Sequence, residues 1–303
     1  MKKILITRTD RLGDVLLSSP VFKAVRREYP TSHIAVLVRP YTKECVEGNP
    51  YINEVIIYDK RGRDKGLLDS IKFAMELRQK RFDLALILHP TNRMNLITFL
   101  AGIPERVGYN RKFGFLLSKK IPHTKELGEK HELEYTLDVI RHIGLKPEDG
   151  DMYMPLRKET QEAMDRELSL CGVSSGDLLI GIHPSSSCSS KRWDPERFAE
   201  AADVLAEKYN SKIVLISGAD GKMYAEMTRE KMKHKPIDFI GKTTLSELTA
   251  LLKRCTLFIS NDSGPVHVAS AVGTPVIAVF GRRDAGLGPV RWGPRGKDDI
   301  IMH

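Results

Sequence analysis

The 303-residue sequence predicts an α/β protein made of two doubly wound, Rossmann-like domains. Short apolar, β-branched runs alternate along it with longer amphipathic stretches. The alternation halts in a linker-like stretch over residues 145–158 and then restarts. The segments richest in chemistry follow the apolar runs, and parallel sheets bind ligands at the carboxyl ends of their strands, so two such halves facing a central cleft would converge on one ligand.

In the first domain, residues 1–155, the strands are expected over 3–7, 33–38, 54–58 and 84–88. A helix opening at Asp14 is expected to run on through Val25. A second is expected over 67–79, with Leu68, Ile71, Met75 and Leu77 or Arg78 on one flank of its buried face. Residues 109–130, rich in Lys, Gly and His without a clear period, read as a loop or mobile segment. A helix over 131–143 should stop at Gly144, which tolerates the left-handed conformation that ends helices. In the second domain, residues 156–303, strands over 178–182, 212–217, 237–240, 257–260 and 275–280 alternate with helices over 195–208, 223–232, 245–253 and 265–272.

Composition narrows the function. With 41% hydrophobic and 29% charged residues, disordered, collagen-like and coiled-coil chains are excluded. No run approaches the roughly 18 apolar residues of a membrane span. The apolar stretch after Lys3 is too short for a signal peptide, so a cytoplasmic protein, at most peripheral at the inner membrane surface, is expected. Cys45, Cys171, Cys188 and Cys255 are scattered without metal-ligand spacing, so reduced thiols and no metal site are expected. The net charge of +9 is concentrated in residues 1–155, with 27 Lys or Arg against 20 Asp or Glu. Such an excess suits an acidic substrate, an anionic membrane or nucleic acid, or is simply a solvated surface. Nucleic acid is disfavoured because no basic stretch is interleaved with aromatics.

Three motifs carry chemistry. Thr7-Arg8-Thr9-Asp10-Arg11-Leu12-Gly13-Asp14 follows the first strand; Asp14 is either a helix cap or a general base. After the first strand of the second domain comes His183-Pro184-Ser185-Ser186-Ser187-Cys188-Ser189-Ser190-Lys191. It is either a flexible serine loop or a phosphate cradle of hydroxyls, backbone N–H groups and one ammonium. The third, Asn261-Asp262-Ser263-Gly264-Pro265-Val266-His267, aims a helix start at the same edge, which suits a diphosphate; Asp262 and Ser263 also fit capping, and His267 fits the core. Asp220, after strand 212–217, is either a turn residue or a ribose or base contact. The basic run Lys60, Arg61, Arg63 and Lys65, with Arg93, suits an anionic substrate or plain solvation.

Taken together, Arg11-Leu12-Gly13-Asp14, the Lys191 loop, and the 261–267 motif followed by Gly273-Thr274-Pro275-Val276 and Phe280-Gly281 resemble the lipopolysaccharide heptosyltransferases of glycosyltransferase family 9. The resemblance implies a GT-B fold with an acceptor-binding first domain and a second domain that holds ADP-heptose, and no other cofactor. It implies Asp14 as the catalytic base of an inverting transfer to the Kdo/heptose inner core. Ser185, Ser186 and Lys191 would contact the donor phosphates, Asp262, Ser263 and Gly264 the diphosphate and sugar, His267 would support that loop, and Asp220 would face the adenosine. Arg11, Lys60, Arg61, Arg63, Lys65 and Arg93 would meet the acidic acceptor. The family pattern continues beyond Trp292-Gly293-Pro294 into a closing helix, so a truncated second domain is expected in a sequence ending at His303. The alternatives are a GT-B enzyme using a UDP-sugar and a non-catalytic nucleotide-binding protein.

Overall fold

The computed structural model describes residues 1–147 and 150–303, which divide into two units, Met1–Pro155 and Leu156–His303. Within the expected linker, Glu148 and Asp149 lie outside the described residues.

The first unit runs β1 (Lys3–Thr7), α1 (Leu12–Leu16), α2 (Ser19–Glu28), β2 (His33–Val38), β3 (Glu54–Ile57), α3 (Leu67–Lys80), β4 (Leu84–Ile87), α4 (Asn92–Leu100), β5 (Glu105–Tyr109), β6 (Lys119–Ile121) and α5 (Glu132–Arg141). Its strands form one parallel sheet in the order β3-β2-β1-β4-β5-β6. Both faces of such a sheet are covered, so the central strands read as continuous apolar runs; Ile4, Leu5 and Ile6 of β1 are fully buried. On one face Leu5, Leu37 and Ile87 meet Phe73, Leu77, Met94 and Ile97 of α3 and α4. Burying each such side chain contributes roughly 1.5–3 kcal/mol.

The second unit runs α6 (Lys158–Leu170), β7 (Leu179–His183), α7 (Pro195–Tyr209), β8 (Lys212–Ser217), α8 (Lys222–Lys231), β9 (Ile237–Ile240), α9 (Leu245–Arg254), β10 (Leu257–Asn261), α10 (Gly264–Ala271), β11 (Val276–Val279), α11 (Pro289–Trp292) and β12 (Ile300–Met302). Its sheet, also parallel, has the order β12-β11-β10-β7-β8-β9. In each sheet the order reverses beside the first strand, between β1 and β4 and between β7 and β10. Chain leaving the carboxyl ends of these neighbours departs in opposite directions, which opens a crevice at that edge.

Four expectations need correction. The helix from Asp14 to Val25 is two helices, because Pro20 lacks an N–H and its ring excludes the carbonyl four residues back. The hydroxyls of Ser18 and Ser19 occupy the carbonyls of Asp14 and Leu16 at 2.8 and 2.7 Å instead. On α3 the buried ridge is Ser70, Phe73, Ala74 and Leu77, while Leu68, Ile71 and Met75 are exposed. Residues 109–130 are not merely loop, since they hold β6 and two single 3-10 turns, Gly114–Leu116 and Lys125–Leu127. β6 lacks an apolar alternation because it is a three-residue edge strand whose Lys119 and Lys120 face solvent, a common guard against edge pairing. Beyond the linker the structure adds a helix, α6 over Lys158–Leu170, that the expected alternation did not include. Gly144 takes the left-handed conformation (φ 88°) expected after α5.

Candidate active site

In the first unit the switch-point edge is built from the chain after β1 and β4. Asp14 sits in the first turn of α1, where its Oδ2 accepts from the Arg11 backbone N–H at 3.3 Å, so it does serve as a cap. Its other oxygen belongs to a buried charge cluster. The Arg8 guanidinium, on the residue after β1, is 1% exposed and donates to Asp14 Oδ1 (2.7 Å), Asp10 Oδ1 (2.8 Å) and Glu132 Oε1 (3.0 Å). Lys125 Nζ donates to the same Glu132 oxygen at 2.7 Å.

Three carboxylates thus share two cations, and the surplus negative charge has little water to screen it. Burial first, and the charge of Asp10 second, lift the Asp14 carboxyl from 3.8 to about 6 in spite of Arg8. Asp10 is likewise raised by burial. Burial opposes the charge on Arg8, but Asp10, Asp14 and Glu132 overcome it and keep the guanidinium protonated. A carboxylate poised near neutrality is what a general base needs. His89, just beyond β4, has its Nδ1 3.7 Å from Asp10 Oδ2, and burial lowers its pKa to about 4, so it is neutral at pH 7.

Of the residues expected to meet an anionic acceptor, Arg11 joins this cluster through its backbone N–H, and the Lys60 side chain reaches the neighbouring Thr9. Lys60 Nζ donates to the Thr9 carbonyl at 2.9 Å, and burial lowers its pKa. Arg93 braces the same loop by donating to the Asp64 and Lys65 carbonyls at 3.4 and 3.0 Å. Arg63 turns back onto Asp64 (2.9 Å) and over the Phe73 ring. Arg11, Arg61 and Lys65 are exposed.

In the second unit the corresponding edge gathers the chain after β7, β8, β10 and β11. His183, the last residue of β7, is buried between two hydroxyls, with Nδ1 3.0 Å from Ser260 Oγ and Nε2 3.0 Å from Ser185 Oγ. Burial lowers its pKa to about 4, so it bridges them as a neutral imidazole. Ser263, the N-cap of α10, joins this chain through Ser260 Oγ at 2.9 Å. Asn261 locks the β7 loop by accepting from the Trp193 N–H and donating to the Pro184 carbonyl, both at 2.8 Å. Lys191 Nζ lies 2.6 Å from Asp262 Oδ2, with both side chains largely buried.

The expected cradle residues are thus close together, although they differ in what they present. Lys191, Asp262, Ser263 and the Gly264 start of α10 share one edge; the Ser185 hydroxyl turns inward to His183, and that of Ser186 bonds the Cys188 carbonyl at 3.0 Å. His267 is buried in α10. Asp220 is exposed in the 3-10 turn after β8. Gly281 lets β11 approach the serine loop, since a Cβ there would sit 2.6 Å from the Ser190 carbonyl. Beyond it, Arg282 donates to Ser190 Oγ at 2.7 Å and reaches Cys188 Sγ at 2.7 Å.

Sequence reasoning missed Arg8, Asp10, Glu132, Lys125, His183 and Arg282 as parts of these sites. Arg8 and Asp10 stood beside Asp14 in the motif, and a charged pair at the end of an apolar strand was the signal available. Glu132 and Lys125 come from more than 100 residues away, and nothing local marks them.

A sequence model described as glycosyltransferase family 9 (heptosyltransferase) matches residues 70–303. The chain is 30% identical to lipopolysaccharide heptosyltransferase 3 of Escherichia coli (strain K12), covering 90% of this chain and 80% of that protein. It is 25% identical to lipopolysaccharide heptosyltransferase 2 of the same strain, covering 92% and 82%. Among solved structures, a glycosyl transferase family 9 protein from Veillonella parvula DSM 2008 superposes with a TM-score of 0.89 at 29% identity, covering 99% of this chain and 86% of that one. E. coli ADP-heptose lps heptosyltransferase II superposes at 0.83 with 22% identity over 100% and 90%, a likeness of fold. The two parallel six-stranded units therefore have the α/β composition of the GT-B class.

Proposed function

The chain belongs to glycosyltransferase family 9, the heptosyltransferases, and from that membership we propose that it moves heptose from ADP-heptose to a hydroxyl of the Kdo/heptose inner core of lipopolysaccharide, inverting the anomeric centre. The enzyme is a transferase; its donor, acceptor and stereochemistry are the proposal.

In this reading the acceptor oxygen bonds to the anomeric carbon as the bond from that carbon to the diphosphate breaks. The acceptor proton passes to Asp14, and ADP departs with the electron pair. Lys191, the Ser263 hydroxyl and the Gly264 N–H at the start of α10 take up the charge that develops on the diphosphate. On donor binding Asp262 would exchange its ion pair with Lys191 for contacts to the donor, freeing the ammonium for the diphosphate, and Asp220, Ser185, Ser186 and His267 would shape or support the nucleotide site. Arg11, Lys60, Arg61, Arg63, Lys65 and Arg93 attract the acidic sugars of the acceptor.

The observation that carries the reading is Asp14 itself: a carboxylate at the switch-point edge, buried and lifted to about 6, yet kept ionisable by Arg8. The test is turnover of ADP-heptose against Kdo-lipid A and heptosylated acceptors by the parent and by Asp14→Asn. The variant should lose roughly 10²–10⁴-fold in kcat, the contribution of a positioned base. Near-native turnover in a variant with an unchanged melting curve would contradict the assignment.

A further inference from the structure

The flank of α3 that was expected to face the core lies on the outside of the first unit. Leu67 is 64% and Leu68 73% exposed, and Ile71 and Met75 lie on the same flank, exposed as well. α3 packs on α4, which presents an exposed Phe99, and α4 packs on the 3-10 turn Gly114–Leu116, where Phe115 is 69% exposed. Arg106 joins these last two elements, its guanidinium 5.5 Å over the Phe99 ring and its Nε donating to the Leu116 carbonyl at 2.8 Å. The exposed Phe113 stands beside Phe115 with ring centroids 5.7 Å apart. Large apolar side chains exposed to water on three successively packed elements suit an interaction surface.

Charge selects the occupant. Residues 60–81 hold eight Lys or Arg against three Asp or Glu, and residues 106–120 hold five and no acid. Lys72, Lys112 and Lys120 are exposed, and Lys119, exposed as well, pairs with Glu105. A partner protein or a second copy of this chain would need acidic groups to meet these cations, whereas a leaflet of anionic phospholipid offers acyl chains for Leu68 and Phe115 and phosphates for the lysines. Among the described residues no helix is long and apolar enough to cross a membrane, so contact through this face would be lateral.

We propose that the α3–α4–Phe115 face rests on an anionic phospholipid bilayer. Leu67 directly follows the basic loop whose Lys60 reaches the Thr9 carbonyl beside Asp10. A lipid-anchored acceptor, which is the part that rests on the proposed function, would therefore present its sugars to Asp14 without leaving the leaflet.

The test is co-sedimentation of the full chain with vesicles of phosphatidylcholine alone and of phosphatidylcholine with phosphatidylglycerol, without donor or acceptor. Binding should favour the anionic vesicles and weaken with salt. The double variant Leu68→Gln/Phe115→Gln should partition about tenfold less while melting at the parent temperature. Its turnover on a delipidated core saccharide should match the parent, and its turnover on vesicle-embedded acceptor should fall. No vesicle binding by the folded parent, equal binding to neutral and anionic vesicles, or a concentration-dependent dimer abolished by the double variant would each overturn the proposal. Vesicle binding without heptosyl transfer would leave this proposal standing and sink the reading of the reaction instead.

Discussion

Asp14 illustrates how one side chain satisfies two demands that compete on paper. It caps α1 through Oδ2 and answers Arg8 through Oδ1, and neither use removes its basicity, because burial and the neighbouring Asp10 work against Arg8. Since the folded state holds this proton more tightly than a free aspartate, the contribution of Asp14 to stability declines as pH rises from 3.8 to about 6. Glu132 adds to that effect, its charge raising Asp14 from the far side of Arg8. Glu132→Gln should therefore move the acidic limb of the kcat/KM profile to lower pH. It should also cost roughly 3–5 kcal/mol in denaturant unfolding, because Lys125 and Arg8 lose a buried partner. An unmoved limb would show that Arg8 insulates Asp14 from Glu132. The short motif made Asp14 legible in the sequence, but its basicity was not, since that depends first on burial and in part on Glu132, which only the fold brings about.

At the scale of elements, the sheets were readable because buried parallel strands are runs of Ile, Val and Leu with turn residues at their ends, as in β1, β2 and β8. Helix faces were harder. α3 carries apolar side chains on more than one flank; the stripe expected from periodicity, through Leu68, Ile71 and Met75, is exposed, and the one through Phe73, which packs against Tyr58, is buried. The two stripes make opposite predictions. Leu77→Ala should cost roughly 2–5 kcal/mol in chemical denaturation because it opens a core cavity. Leu68→Ala should stay within about 0.5 kcal/mol of the parent, as exposed positions do. A large loss at Leu68 would mean that this flank is covered in the folded protein. Three strands escaped notice for another reason: β6 and β12 are three-residue edge strands with too few residues to show a period, and β5, Glu-Arg-Val-Gly-Tyr, has no apolar run.

For the whole molecule, the proposed reaction divides the chemistry between the two units: Asp14 of the first would take the proton, and Lys191 with the start of α10 in the second would hold the diphosphate. If the second unit holds the donor, ADP should raise the melting temperature and UDP should not, because only a ligand that prefers the native state stabilises it. Lys191→Ala should diminish the ADP shift while Asp14→Asn leaves it intact. Equal shifts with ADP and UDP would remove the adenosine specificity. The repetition of a doubly wound pattern on either side of residue 155 was legible from strand and helix alternation, whereas which charges meet at each edge required the fold.

The most direct measurement of the central claim is the pH dependence of single-turnover heptosyl transfer from ADP-heptose to a core acceptor. The rate should rise with pH through one ionisation near 6, the value to which Asp14 is lifted, and Asp14→Asn should lose both the limb and most of the rate. A rate flat between pH 5 and pH 7, or a limb that survives in Asp14→Asn, would contradict the claim that Asp14 takes the acceptor proton.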